Sequence, residues 1–455
     1  MGGLAGILLA LGLLIVLSWR GVSVLLLAPA AAALAALLSG APVLASYTQI
    51  FMPALGSFVA AFLPLFLLGA VFGRLMEETG AAQALARAIT ARLGEGRTIL
   101  AVVLACAVLT YGGVSLFVVA FAVQPLAAAM FSRARLPATL IPASIALGAF
   151  TFTMTALPGT PAIQNAIPMP HFGTTAFAAP GAGVLAGAIM LGLGLLWLNR
   201  RVAAHAFATP GAPPPPLEGT EAPSAALAAL PNLLVVSLNL VLASAVLPAL
   251  DTAYLAEVRF GGVEFAALRG VWAIILALLG AIALMAWMGR RRVPDLPAAL
   301  GRGANAALLP ALNTASLVGF GAVVAALPAF AAIRDAVLGI APGNPLISLA
   351  VAVNILAGIT GSASGGLSIA LQTLGATYLE RGVAAGIDPA LLHRVAAIAT
   401  GGLDALPHNG AVVTLLAVCG MTHRQSYADI FVVACLIPLL ALAAVLAVTA
   451  LTGAF

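Results

Sequence analysis

The sequence contains no lysine, only three cysteines, and charged side chains at just 7% of its 455 positions. Each scarcity removes a class of function. Without lysine there is neither a P-loop cation nor a Schiff-base amine, which argues against an ATP-driven pump within this chain. Cys106, Cys419 and Cys435 fall singly inside apolar stretches, so they read as small buried hydrophobes and not as disulfide partners or metal ligands. All 19 basic side chains are arginines dispersed through short loops. That dispersal offers no patch for nucleic acid and instead reports membrane orientation.

What is abundant is hydrocarbon. Hydrophobic residues make up 63% of the chain, in runs that recur from end to end. Runs of about 20 residues at ~1.5 Å per residue cross a ~30 Å bilayer core as helices, so the expected fold is an all-α polytopic membrane protein. Leu4 to Ser18 lacks a preceding charge and is followed directly by more apolar sequence, so it reads as a retained first span and not a cleaved signal. The densest positive loops, Arg200-Arg201 and Arg290 to Arg292, are placed in the cytoplasm, with spans at Asn232 to Leu250 and Gly270 to Met288 between them. Arg74, Arg87, Arg92 and Arg97 suggest an interfacial amphipathic helix. The Pro-rich stretch 203–231 reads as a solvated cytoplasmic linker dividing the chain into repeats 1–202 and 232–455.

The two parts share landmarks in one order. "YGGVSLF" (Tyr111 to Phe117) recurs as "SGGLSIA" (Ser364 to Ala370), and "TFTMTALPGTPAIQN" (Thr151 to Asn165) as "TGGLDALPHNGAV" (Thr400 to Val412). "RLP" at Arg135 to Pro137 matches "IDP" at Ile387 to Pro389 between them, and the Gly-Gly to Ala-Leu-Pro separations are 44 and 40 residues. Internal duplication of this kind is a recurring design of secondary transporters. Residues 98–132 are too long for one perpendicular crossing and too short for two, and arginines flank both ends. They are expected to form a re-entrant helical hairpin from the cytoplasmic side, turning at Gly112-Gly113. Residues 345–380 form its counterpart from outside. Residues 136–170 and 389–420 are expected to be broken transmembrane helices, and the charge pattern makes the two repeats inverted in topology.

Irregular backbone at membrane depth survives only where protein or a polar cavity satisfies it. Four converging breaks would aim helix N-termini at a small anion, with glycine admitting close approach and hydroxyls adding donors. The candidate substrate contacts are Gly112, Gly113, Ser115, Ser362, Ser364, Gly365 and Ser368 at the hairpin tips, and Thr155, Gly159, Thr160, Asn165, His408 and Asn409 at the broken spans. Glycine and serine also serve tight helix packing, which is the competing account of each position. Asp404 is the one acidic residue these spans leave deep in the membrane, where a charge costs at least ~2.5–3.5 kcal/mol. A proton-coupling role, shared with His408, is weighed against capping of the half-helix after Pro407. His393 and Arg394 are placed just inside the outer end of a span, snorkelling to the interface.

The stretches "YGGVSLFVVAFAVQPLA", "ALGAFTFTMTALPGTPAIQN", "GSASGGLSIAL" and "GGLDALPHNGAVVTLLAVCGMTHRQSYADI" resemble the gluconate permease (GntP) family of the ion transporter superfamily. The resemblance implies a proton-coupled symporter of small hydroxy- or keto-carboxylates, such as gluconate or hydroxybutyrate, in the bacterial inner membrane. It implies a homodimer whose transport domain moves against a scaffold. Leu116-Phe117-Val118 and Leu157-Pro158-Gly159 stand where gluconate carriers place a carboxylate and a His-Pro-Gly turn, which fits a hydroxybutyrate-type branch better. No enzyme activity and no cofactor is expected. The coupling ion is H+, with Na+ as the alternative, since sodium-using relatives place Ser, Asn and Thr at equivalent tips. An intramembrane serine protease on Ser364, Asp404 and His408 would leave the duplication unexplained, and "GSASG" lacks the spacing of a nucleophile elbow. An anion channel would not need the buried acid.

Overall fold

A computed structural model describes residues 2–20, 22–204, 223–290, 292–341, 343–407 and 409–453. Every element among them is helical, and eight helices are long and apolar enough to cross a membrane. The chain is a multi-pass membrane protein.

Proline placement explains much of the helix shape. Wide π-type turns at Tyr47–Phe51, Leu242–Val246 and Val432–Leu436 each precede a proline by two residues: Pro53, Pro248 and Pro438. Proline has no N–H and its ring crowds the carbonyl four residues back, so the turn before it opens while the helix continues. The longest continuous helical stretches, Val43–Glu78 and Leu296–Ala326, pack along each other and carry Gly2–Trp19 and Val24–Leu38 on one side. Ile7, Ala28, Ala32, Phe51, Phe320 and Val324 form a separate small core there.

Residues 98–133 and 345–384 each form a helix–turn–helix pair. Thr98–Tyr111 turns through Gly112 to Val114 into Leu116–Arg133, and Pro345–Thr360 turns at Gly361 into Ala363–Ala384. Gly113 has φ +101°, which only glycine adopts readily. The Gly-Gly pair aligned in the second half is not the turn. Gly365 and Gly366 lie inside the returning helix, where a Cβ on Gly366 would strike the backbone of Leu356 and Ala357 in the other arm. Two further helices are interrupted part-way. Ile141–Ala149 gives way to irregular chain around Ala156 to Ala162 before Ile163–Ala166, and Pro389–Thr400 gives way to turns before Gly410–Val418. Each hairpin packs on the first part of its own half's broken helix. The distal parts cross over: Gly410–Val418 meets Leu116–Arg133, and Ile163–Ala166 meets Ala363–Ala384.

Three expectations need correction. Helix enters the anticipated linker from both sides, as Pro180–Ala204 and Ala225–Val241, with Pro231 buried inside the latter. Residues 205–222 lie outside the described residues. Of the arginines assigned to one interfacial helix, Arg74 belongs to the end of the long helix Met52–Glu78 and Arg97 to a short turn. The helix carrying Arg87 and Arg92, Ala81–Leu93, is amphipathic, but its buried Ala82, Leu85 and Ala86 pack on the first hairpin and on Ala225–Val241. Protein, not lipid, covers that face. Finally, His393 and Arg394 do not snorkel: both are 0% exposed. Snorkelling presumes a lipid-facing helix, and every residue from Leu391 to Thr400 is buried in protein.

Candidate functional site

The two hairpin tips, the two breaks and the two long helices surround an open cavity of about 1190 Å³. Of the sequence candidates, Gly113, Ser115, Thr155, Ser362, Ser364, Asp404 and Asn409 line it. Thr155 and Asp404 occupy matching places before Ala-Leu-Pro, and both reach the same space. Ser362 Oγ and Ser364 Oγ are 3.4 Å apart, and Ser364 Oγ is 3.3 Å from Thr314 Oγ1. His408 lies outside the described residues.

Asn409 does the capping that had been considered for Asp404. Its Oδ1 accepts from Ala411 N at 2.6 Å and Val412 N at 3.2 Å, which satisfies the first turn of Gly410–Val418. Its Nδ2 donates to Asp404 O at 2.7 Å and to Gly361 O at 3.0 Å, tying the second break to the second hairpin tip. The Asp404 side chain is half-buried on the cavity wall, and among the described residues no ion pair engages it.

Six candidates are not on the wall, each for a packing reason. A Cβ on Gly112 would overlap Asn232, whose Nδ2 donates to Val108 O at 3.2 Å. Gly159 lies against the Phe177 ring and donates to Ala176 O at 2.8 Å. Gly365 faces Leu317, and Ser368 is buried among helices. Thr160 and Asn165 are fully buried behind the first break. Asn165 Nδ2 donates to Thr160 O at 2.9 Å and Ala176 O at 3.0 Å. Its Oδ1 accepts from Arg394 Nη1 at 3.0 Å and is 3.1 Å from His393 Nε2. Arg394 also donates from Nε to Ala178 O at 3.0 Å and from Nη2 to Ala176 O at 3.1 Å, while His393 Nδ1 meets Thr174 Oγ1 at 2.6 Å. A charged side chain from the second half thus shapes the irregular backbone of the first. Tyr111 adds to this from the hairpin side, donating to Pro158 O at 2.6 Å.

Several wall residues escaped the sequence reading: Thr110, Gln164, Asn313 and Thr314. Gln164 stood one position from the chosen Asn165, and the phase of the short helix Ile163–Ala166 decides which of the two faces the cavity. Asn313 and Thr314 carried a signal, since they are adjacent polar residues just after Pro310 inside a 31-residue, mostly apolar helix. At one end of the cavity Glu78 joins the long helices, accepting from Arg74 Nε at 2.6 Å and Arg302 Nη2 at 2.7 Å, with Arg74 Nη1 3.0 Å from Glu77. Arg74, Glu77 and Arg302 line the cavity at that end, and His423, whose Nε2 is 2.9 Å from Pro407 O, is also on its wall.

A curated transporter of Bacillus subtilis (strain 168), YxjC, itself uncharacterised, is 44% identical over 468 residues, covering 98% of each chain. The chain belongs to the YxjC transporter family. No family model matches the transporter. Its fold is similar to the crystal structure of the YdaH transporter from Alcanivorax borkumensis, with a TM-score of 0.58 over 89% of each chain at 18% identity. That likeness agrees with the all-helical, multi-span architecture described above.

Proposed function

We propose that the transporter is a secondary active, proton-coupled symporter that brings a small organic monocarboxylate into a bacterial cell across the inner membrane. The carrying observation is that Asp404 shares one cavity wall with the hydroxyls of the second hairpin tip while no arginine pairs with it among the described residues. A carboxyl in that setting is free to load and release a proton as the site alternates. The capping alternative is weakened because Asn409 already caps the half-helix.

The equivalent hairpin and broken-helix pairings in both halves, with the crossed distal contacts, support an inverted-topology duplication. The family resemblance supports a hydroxy- or keto-carboxylate as substrate, a hydroxybutyrate-type branch of the gluconate permeases, and a homodimer. Arg74 and Arg302 at one rim of the cavity, read with the positive-inside distribution of the arginines, support an inward-facing conformation.

Uptake by proteoliposomes under an imposed pH gradient tests the coupling. Accumulation beyond the electrochemical equilibrium of the anion, driven by the pH gradient and indifferent to sodium, is expected. Asp404→Asn is expected to leave a folded protein that exchanges substrate but no longer accumulates it. Gradient-driven accumulation by that variant would remove Asp404 from the coupling step, and dependence on sodium instead of pH would replace the ion.

A further inference from the structure

The second break leaves the consecutive carbonyls of Asp404, Ala405, Leu406 and Pro407 outside any helix, and each has a donor. Asp404 O accepts from Asn409 Nδ2 at 2.7 Å, Ala405 O from the Tyr427 phenol at 3.2 Å, Leu406 O from Asn409 N at 2.9 Å, and Pro407 O from His423 Nε2 at 2.9 Å. A carbonyl oxygen only accepts, so Nε2 carries the hydrogen in that last bond. Two of the donors stand one turn apart on the helix His423–Phe431, with ring centroids 5.8 Å apart. That helix is fixed at both ends. Gln425 Oε1 accepts from Thr422 N at 2.9 Å at its start, and Asp429 near its end accepts from Trp197 Nε1 at 2.9 Å and Arg201 Nε at 2.7 Å.

The first half repeats one of these ties. Pro158 O, the counterpart of Pro407 O in the Ala-Leu-Pro match, accepts from the Tyr111 phenol at 2.6 Å. Each half thus holds its proline carbonyl with a ring donor, but the break tied by Tyr111 has Thr155 where the break tied by His423 has Asp404. Asp404, Ala405, Pro407 and His423 all line the cavity, and both Pro407 and His423 are exposed there. Water replaces the imidazole at Pro407 O when the side chain is removed, so little stability is at stake. What a mobile water does not supply is a donor anchored to a braced helix.

We propose that His423 is a positioning residue for the coupling step: its Nε2–H holds Pro407 O and so fixes the turn that carries the Asp404 carboxyl. With the tie in place the carboxyl meets the cavity in one geometry, and without it the turn samples others. A glutamine amide can offer an N–H to the same oxygen, whereas a phenylalanine keeps the ring and loses the donor. This assignment rests on the proton-coupled reading and adds to it the residue that keeps the acid in place.

Proteoliposomes assayed for counterflow exchange and, separately, for accumulation under an imposed pH gradient test it, with radiolabelled 3-hydroxybutyrate and gluconate as probes. His423→Phe is expected to exchange within about twofold of wild type while its gradient-driven accumulation falls about two- to tenfold, the weight of one hydrogen bond. His423→Gln should restore accumulation, and Tyr111→Phe, which breaks the matching bond beside Thr155, should change neither readout. Should His423→Phe lose its melting transition, His423→Met, a flexible side chain without a donor, provides the same comparison. Full accumulation by the non-donor variant, equal loss of exchange and accumulation, failure of glutamine to restore, or the same uncoupling by Tyr111→Phe overturns the assignment while proton coupling stands. Accumulation of neither probe by wild type, or undiminished accumulation by Asp404→Asn, removes the coupling reading and this inference with it.

Discussion

Arg394 offers the sharpest test of how the site is held together. Its guanidinium is fully buried and donates to Ala178 O, Asn165 Oδ1 and Ala176 O, all neutral acceptors, at 3.0, 3.0 and 3.1 Å. Replacing it by methionine does not strand all three. Ala176 O keeps donations from Gly159 N at 2.8 Å and Asn165 Nδ2 at 3.0 Å, and Asn165 Oδ1 keeps its 3.1 Å contact to His393 Nε2. Ala178 O loses the guanidinium with no second side-chain donor to take over. The debit is one stranded acceptor at ~1–3 kcal/mol plus two further hydrogen bonds to a charged donor at ~1.5–3 kcal/mol each. Against this stands the desolvation of a buried charge, itself several kcal/mol, which methionine no longer incurs. The expected net loss for Arg394→Met is about 2–4 kcal/mol. Arg394→Lys should be worse, because a compact ammonium keeps the burial penalty but cannot span three acceptors arranged for a planar fork. Unfolding measured in mixed detergent micelles should therefore rank wild type above Met and Met above Lys. A lysine variant as stable as wild type, or more stable than methionine, would refute the argument that fork geometry, and not charge alone, makes the residue tolerable there.

Other consequences are narrower. Asn409→Ala removes a helix cap and two cross-ties, so it should lower stability by about 2–4 kcal/mol and raise amide exchange at Ala411 and Val412, measurable by mass spectrometry. Gly366→Ala sets a methyl against the backbone of the opposite hairpin arm and should cost about 1–3 kcal/mol or prevent assembly of the hairpin, read by thermal unfolding. Tyr111→Phe deletes only the bond to Pro158 O, so a loss of about 1 kcal/mol with transport retained is expected, and a transport-dead but stable variant would assign the phenol a further role.

The positions of the helix turns and helix interruptions were legible in the sequence because their signals are local. A run of the wrong length for the bilayer, a Gly-Gly pair and an Ala-Leu-Pro break each announce themselves within about one span length. Which side of a break faces the cavity was not legible. Gln164 and Asn165 differ by one position and point to opposite fates, one on the wall and one fully buried behind it. Arg394 was misplaced because depth along a helix was read as distance to lipid, whereas that helix is enclosed by protein on every side. The repeat aligned Gly112-Gly113 with Gly365-Gly366 correctly as letters, but one pair makes a turn and the other makes room for a neighbouring backbone. Local chemistry survives such alignment; the register of tertiary contact does not.

The tie between Arg394 and Asn165 spans 229 residues of chain. At ~5–20 residues per second, a ribosome needs on the order of 10–50 s to travel that distance. Throughout that interval the irregular stretch around Pro158 to Ala178 lacks the donor that completes it. The nascent protein must shelter that stretch by other means, with water, lipid headgroups or the insertion machinery standing in. The last third of the chain is thus a condition for finishing the first, and any truncation before Arg394 leaves the first break without its guanidinium.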